Sequence, residues 1–147
     1  MMRVLALDVG ERRIGVAVSD PTQTLARSLL VLERRDDEKV LASVAALVQE
    51  QGVERVVVGY PLSLRGEVGP QALRVGHFAE AMAQALEVPV ELWDESYSTV
   101  DAERILRERR VYGPQRRQRV DAIAAAVILQ DYLDAQARNR GPEGQKP

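Results

Sequence analysis

Cysteine is absent from the 147-residue chain, which excludes disulfides and thiolate metal sites and fits a cytoplasmic setting. Histidine occurs once, as His77, a residue without a partner in sequence and expected at the surface. Ser19, Ser63 and Ser98 therefore lack a placed base, which excludes a Ser/His/Asp triad. No apolar run approaches the ~18 to 20 residues that span a bilayer, so membrane insertion is not expected. Met1, Met2 and Arg3 lead straight into a strand-like run without a small-residue cleavage site, which argues against a signal peptide. No phosphate loop of the Walker type occurs. Neither charge sign dominates: 20 basic and 22 acidic residues leave a net charge of -2, unlike a general nucleic-acid coat. Lysine is nearly missing, with Lys39 and Lys146 its two occurrences. Arginine supplies the rest, with a cluster from Arg104 to Arg119.

A chain of this length builds one core, so a single domain is expected over residues 1–137. The polar tail RNRGPEGQKP, 138–147, is expected to be disordered. Residues 3–9, 13–19 and 25–32 are short Val, Leu and Ile runs separated by GER and DPTQT, and read as three hairpin-linked strands. From Asp36 to Gln51 the period becomes helical, with Val40, Leu41, Val44, Leu47 and Val48 on one face, Asp36 or Asp37 as cap and Gly52 as stop. RVVVGY, 55–60, is apolar without alternation, as in a strand covered on both sides. Pro70 opens a second helix carrying Leu73, Val75, Phe78, Met82 and Leu86. The strand 88–95 follows, then a third helix over 100–110 and a fourth from Gln118 or Arg119 to about Ala137. This order predicts an α/β fold with a five-stranded mixed sheet, three antiparallel hairpin strands followed by parallel ones, and helices on both faces.

Ligands in such sheets gather beyond the carboxyl ends of the parallel strands. Asp8 ends the first strand, and Asp94 and Glu95 end the last. Asp121 stands at helical spacing before Ala125, Ile128 and Tyr132, on the flank directed to the sheet. Clustered carboxylates repel one another and resist desolvation unless protons or cations compensate. Magnesium or manganese would do so, and a pair of such ions ~4 Å apart supports phosphodiester hydrolysis. Each acid has an alternative use. Asp8 could bond its own turn, Asp121 could offset its helix dipole, Glu95 could cap the next helix, and Asp94 competes with it. Asp20, in SDP, reads as a turn residue, and Trp93 as core.

Gly10 is expected to supply a positive φ after Asp8, and Gly15 to let a substrate backbone approach. Gly59 and Pro61, with the loop RGEVG, would form a lip beside the site. Arg12, Arg13, Arg116, Arg117 and Arg119 are candidates for gripping phosphates, Arg119 through its closeness to Asp121.

LDVGERRIGVAVSD, VVVGYPLSLRGEVGP, LWDESYSTVDAER and VDAIAAAVILQDYL resemble, in order and spacing over nearly the whole chain, the four signature blocks of the YqgF (RuvX) family. The resemblance implies a ribonuclease H-like fold related to Holliday junction resolvases. It also implies a cytoplasmic nuclease that matures the 5′ end of pre-16S ribosomal RNA, and it carries an acidic trio onto Asp8, Glu95 and Asp121. Two positions depart from the pattern: Glu11 and Arg12 replace Thr or Ser followed by Lys, and Ser96 replaces Arg. The expected function is hydrolysis of phosphodiester bonds in structured RNA, by an endo- or exonuclease using one or two Mg2+ or Mn2+ ions and working as monomer or homodimer. The expected partner is pre-16S rRNA or a pre-ribosomal particle, with branched DNA as another substrate. The competing readings are a non-catalytic RNA- or ribosome-binding factor and, from the similarity of Asp-x-Gly and its hairpin to sugar kinases, actin and Hsp70, an ATP-binding protein. A chain this short lacks the second lobe the last requires.

Overall fold

A computed structural model describes residues 2–60, 69–94 and 115–145, except the side chains of 115–122 and 140–145. Its elements run β1 (Arg3–Val9), β2 (Arg13–Ser19), β3 (Ala26–Glu33), α1 (Asp37–Gln51), β4 (Val53–Tyr60), α2 (Pro70–Ala85), β5 (Val90–Asp94) and α3 (Gln115–Gln145). The strands form one sheet in the order β3-β2-β1-β4-β5. β2 pairs antiparallel with β1 and β3, and β4 pairs parallel with β1 and β5. The mixed sheet expected from the sequence is thus the observed one.

Strict alternation along β1 sorts its side chains between two cores. Leu5, Leu7 and Val9 face α1 and α2, together with Ile14, Val16 and Val18 of β2 and Val56 and Val58 of β4. Val4 and Ala6 face the other way, with Ala17 and Val57, against Ala125, Ile128, Leu129, Tyr132 and Leu133 of α3. Both faces are covered, which is why β1, β2 and β4 read as apolar runs.

Local chemistry sets the helix ends. The Asp36 side chain accepts the amide of Glu38 at 3.0 Å to cap α1, and Gly52 ends it at φ 62, a left-handed conformation that glycine adopts without penalty. Pro70 opens α2 at its first turn. The buried stripe of α2 is Ala72, Val75, Phe78, Ala79 and Met82. Leu73 is exposed, at 54%, because it lies about 100° around the helix from Ala72; size pointed to Leu73, whereas the three-four spacing selects Ala72. β4 begins two residues before the expected start, with Val53 buried, and β5 begins only after Pro89. The helix expected over 100–110 lies outside the described residues. Helical backbone in α3 extends beyond Ala137 to Gln145.

The β2–β3 turn is built on Asp20. Its carboxylate accepts the hydroxyl of Thr22 and the amides of Thr24 and Leu25, at 2.8 and 2.9 Å. These bonds, the Thr22 one foremost, lower its pKa from 3.8 to about 2. The ionised form is thus favoured in the folded chain, so this contribution is complete above pH 3.8 and is lost as pH falls through about 2. Amide exchange of Thr24 and Leu25, compared between these pH values at matched intrinsic rates, is expected to accelerate in acid; unchanged protection would show that the carboxylate does not hold the turn.

Candidate functional site

Asp8 continues the Val4, Ala6 alternation, so it stands on the α3 face near the carboxyl end of β1. It is half-buried between buried Leu7 and Val9. Directly across the antiparallel ladder stands Gly15. On the parallel side Leu7 is level with Val58, so the next β4 position, level with Asp8, is Gly59. The residues level with the acid on both flanking strands are therefore glycines, and a rigid central strand holds it in place.

The turn after Asp8 corrects one sequence expectation. Positive φ is not what Gly10 supplies, since Gly52 is the glycine with that conformation among the described residues. Close approach is the reason instead: the Gly10 amide donates to the Arg13 carbonyl at 2.9 Å, and a Cβ at position 10 would lie 2.7 Å from that oxygen. Arg34, the first residue after β3, is no candidate by sequence, yet it clamps the same turn. Its amide donates to the Arg12 carbonyl at 2.8 Å and its Nη1 to the Gly10 carbonyl at 3.0 Å. The guanidinium also grips both Asp37 oxygens, at 2.9 and 3.3 Å, and lies 4.9 Å from the Phe78 ring centre. The available signal was the pair Arg34, Asp37 at spacing three beside the start of α1.

Of the two acids competing at the end of β5, strand parity places Asp94. Val90 packs on the α1 and α2 side, whereas Glu91 accepts the Tyr132 hydroxyl at 3.0 Å and the Trp93 ring meets Tyr132 edge to face at 5.2 Å. Asp94 accordingly falls on the face opposite Asp8. Glu95 lies outside the described residues, as does Pro61. Asp121 belongs to α3, but its side chain is not among those described, and the same holds for Arg116, Arg117 and Arg119. Arg12 is exposed and Arg13 half-buried at the β1–β2 turn, where both line open depressions. His77 is exposed, and Trp93 is partly buried against α3. Among the described residues no three His, Cys, Asp or Glu side chains come together as a cation site, and no helix is long and apolar enough to cross a membrane.

A second polar cluster was not foreseen. Tyr132 is 1% exposed, and its hydroxyl accepts from Arg55 and donates to Glu91. Burial raises the hydroxyl above its usual pKa of 10.0, which keeps it protonated for that donation. Trp93 Nε1 donates to Asp131 at 2.9 Å, and Gln130 ties α3 to β3 by accepting the Ala26 amide and donating to the Thr24 carbonyl. These bonds seat α3 on the sheet face that carries Asp8.

The family model described as "RuvX: Holliday junction resolvase" matches residues 2–135. A Chloroflexus aurantiacus protein named "Putative pre-16S rRNA nuclease" is 48% identical over 136 residues, covering 92% of this chain and 89% of that one. A Pelotomaculum thermopropionicum protein of the same name is 42% identical over 146 residues, covering 99% and 95%. Among solved structures, Thermus thermophilus RuvC in complex with a Holliday junction substrate superposes with a TM-score of 0.56 at 19% identity, over 92% of this chain and 96% of that one. The fowlpox virus resolvase bound to Holliday junction DNA gives 0.53 at 13% identity, over 92% and 99%. The structural likeness establishes a RuvC-like, ribonuclease H-like fold, and with the family match spanning residues 2–135, this chain belongs to the RuvX (YqgF) family.

Proposed function

We propose that this protein is a divalent-cation-dependent nuclease that hydrolyses phosphodiester bonds in the 5′ precursor region of 16S ribosomal RNA, in the cytoplasm. The observation that carries the reading is Asp8: a half-buried acid near the carboxyl end of a central strand, with Gly15 and Gly59 beside it. The family match and the names of the relatives support the reaction class and the RNA substrate.

The proposed site joins Asp8 with Glu95 and Asp121. On β5 the parity of Glu91 and Trp93 would continue to position 95 on the Asp8 face. In α3, position 121 lies on the stripe of Ala125, Ile128 and Tyr132. From 121 to 132 the helix rises about 16 Å, comparable to the about 13 Å from Val4 to Asp8 along β1. Gln130 and Tyr132 are tied near the amino end of β1, through Ala26 and Arg55, so a helix lying along the sheet would bring residue 121 towards the Asp8 end. Three carboxylates make an oxygen-only donor set, which fits Mg2+ or Mn2+. When bound, one or two such ions would polarise the scissile phosphate and lower the pKa of a water. The protein's own part is to hold the acids rigidly on β1 and α3, to fix the turn at Gly10 through Arg34, and to attract phosphate with Arg12 and Arg13.

The test is incubation of the purified protein with an RNA spanning the 5′ precursor junction, with Mg2+ and with a chelator. Cleavage that stops on chelation is expected. Cleavage undiminished by the chelator would refute the cation requirement. Salt-sensitive binding without cleavage, indifferent to Mg2+ and to Asp8, would favour the non-catalytic assembly factor, which the net charge of -2 also suits.

A further inference from the structure

We propose that the open depression between the β1–β2 turn and the β3–α1 connection is a binding site for the nucleic-acid phosphate backbone flanking the reacting bond, with Arg12 and Arg35 as the phosphate ligands and Arg34 as the fixed wall beneath them. The inference rests on the nuclease reading and adds to it a surface and a division of roles among neighbouring arginines. The depression, about 300 Å³, is lined by Arg12, Arg13, Glu33, Arg34 and Arg35.

Their existing bonds separate the four guanidinium groups. Arg34 is fully committed: both Asp37 oxygens, the Gly10 carbonyl and the Phe78 face occupy it, and its side chain is only 20% exposed. It shapes the site without being free to leave its partners. Arg35 is 85% exposed and, among the described residues, is held by Glu33, itself 65% exposed, at 3.1 Å. An exposed pair of this kind is weak and screened, so a phosphate with two acceptor oxygens can replace it. Glu33, 65% exposed, is left in water by the exchange and is not stranded. Arg12 is exposed and has no ion-pair partner among the described residues. With Asp37 matched to Arg34 and Glu33 to one of its neighbours, the depression keeps a positive surplus in a chain of net charge -2.

A polymer backbone fits this surface better than a lone anion. A second depression, lined by Gly10, Glu11, Arg12, Arg13 and Gln71, shares Arg12 and Arg13 with the first and continues past the turn towards α2. Its one acid, Glu11, is turned to Arg74 at 3.5 Å. The two together make a trough across the turn that begins two residues from Asp8, roughly 7 Å of extended chain and about two nucleotide rises.

The test is fluorescence anisotropy of a labelled single-stranded RNA of about 20 nucleotides, in chelator so that nothing is cut, over about 50 to 200 mM KCl. For Arg12→Gln/Arg35→Gln the slope of log K against log salt is expected to shrink by about 1.4, the value for two lost single-strand phosphate contacts, with unchanged melting. Arg12→Lys/Arg35→Lys is expected to retain the parent slope. Arg34→Lys is expected to melt earlier and keep the slope. A parent-like slope in Arg12→Gln/Arg35→Gln, or a parent protein without salt-dependent binding, would overturn the inference. An equal loss of slope in Arg34→Lys would overturn the division of roles. Failure of the nuclease reading would be seen elsewhere, as normal slope changes in a protein that never cuts.

Discussion

Asp8→Asn is expected to lower single-turnover RNA cleavage by about a thousandfold or more, which corresponds to roughly 4 kcal/mol of lost transition-state stabilisation. The substitution is nearly isosteric, so β1 keeps its packing between Leu7 and Val9 while the site loses one negative charge and one oxygen donor for the cation. Melting temperature is expected to stay level or rise, since acids gathered for function repel one another when no cation is bound. This pairing of lost rate with retained stability separates a cation-holding role from the bland one. Were Asp8 merely bonding its turn, Asn would serve almost as well and cleavage would continue at the parent rate.

Tyr132→Ala is expected to destabilise the fold by about 3 to 5 kcal/mol, the usual range for removing a fully buried aromatic. For a chain of this size that corresponds to a melting temperature lower by roughly 10 to 15 °C. The side chain is 1% exposed, packs edge to face on Trp93, and stands between Arg55 and Glu91. Tyr132→Phe keeps the ring and removes one hydroxyl, leaving Arg55 and Glu91 3.6 Å apart to bond each other; a cost of about 1 kcal/mol is expected. Thermal melts of the two variants beside the parent check both values. Equal, small losses would mean that α3 is held by other contacts. Cleavage by Tyr132→Phe should remain near the parent level, because the hydroxyl acts about three helical turns from position 121.

What the sequence reveals here follows from what periodicity measures. The apolar run VLALDV and the GER turn locate β1 and β2 to the residue, because a strand covered on both faces reads as an unbroken apolar run bounded by turn residues. Asp36 and Gly52 mark α1 because caps are chosen by local backbone chemistry. The same logic isolates Asp8, an acid where the pattern calls for a dry residue. Pairing across the sheet is not local, and it stays hidden: nothing in the order of residues says that Gly15 and Gly59 flank Asp8, or that Arg55, Glu91 and Tyr132 meet. Arg34 is legible only through nearby Asp37, since its other partners Gly10 and Phe78 lie far from it in sequence. At Gly10 the residue type alone does not tell conformation from space, because both demands select glycine. That Asp94 falls on the face opposite Asp8 becomes visible only once the parity of β5 is known.

The central claim is that folding brings three acids distant in sequence to one divalent cation. Its most direct measurement is anomalous diffraction from crystals of the protein equilibrated with Mn2+. A manganese peak within direct coordination distance of a carboxylate oxygen of Asp8, with Glu95 and Asp121 completing the acidic shell, is the predicted result. Carboxylates of Asp8, Glu95 and Asp121 pointing into separate regions, with no manganese at Asp8, would contradict it.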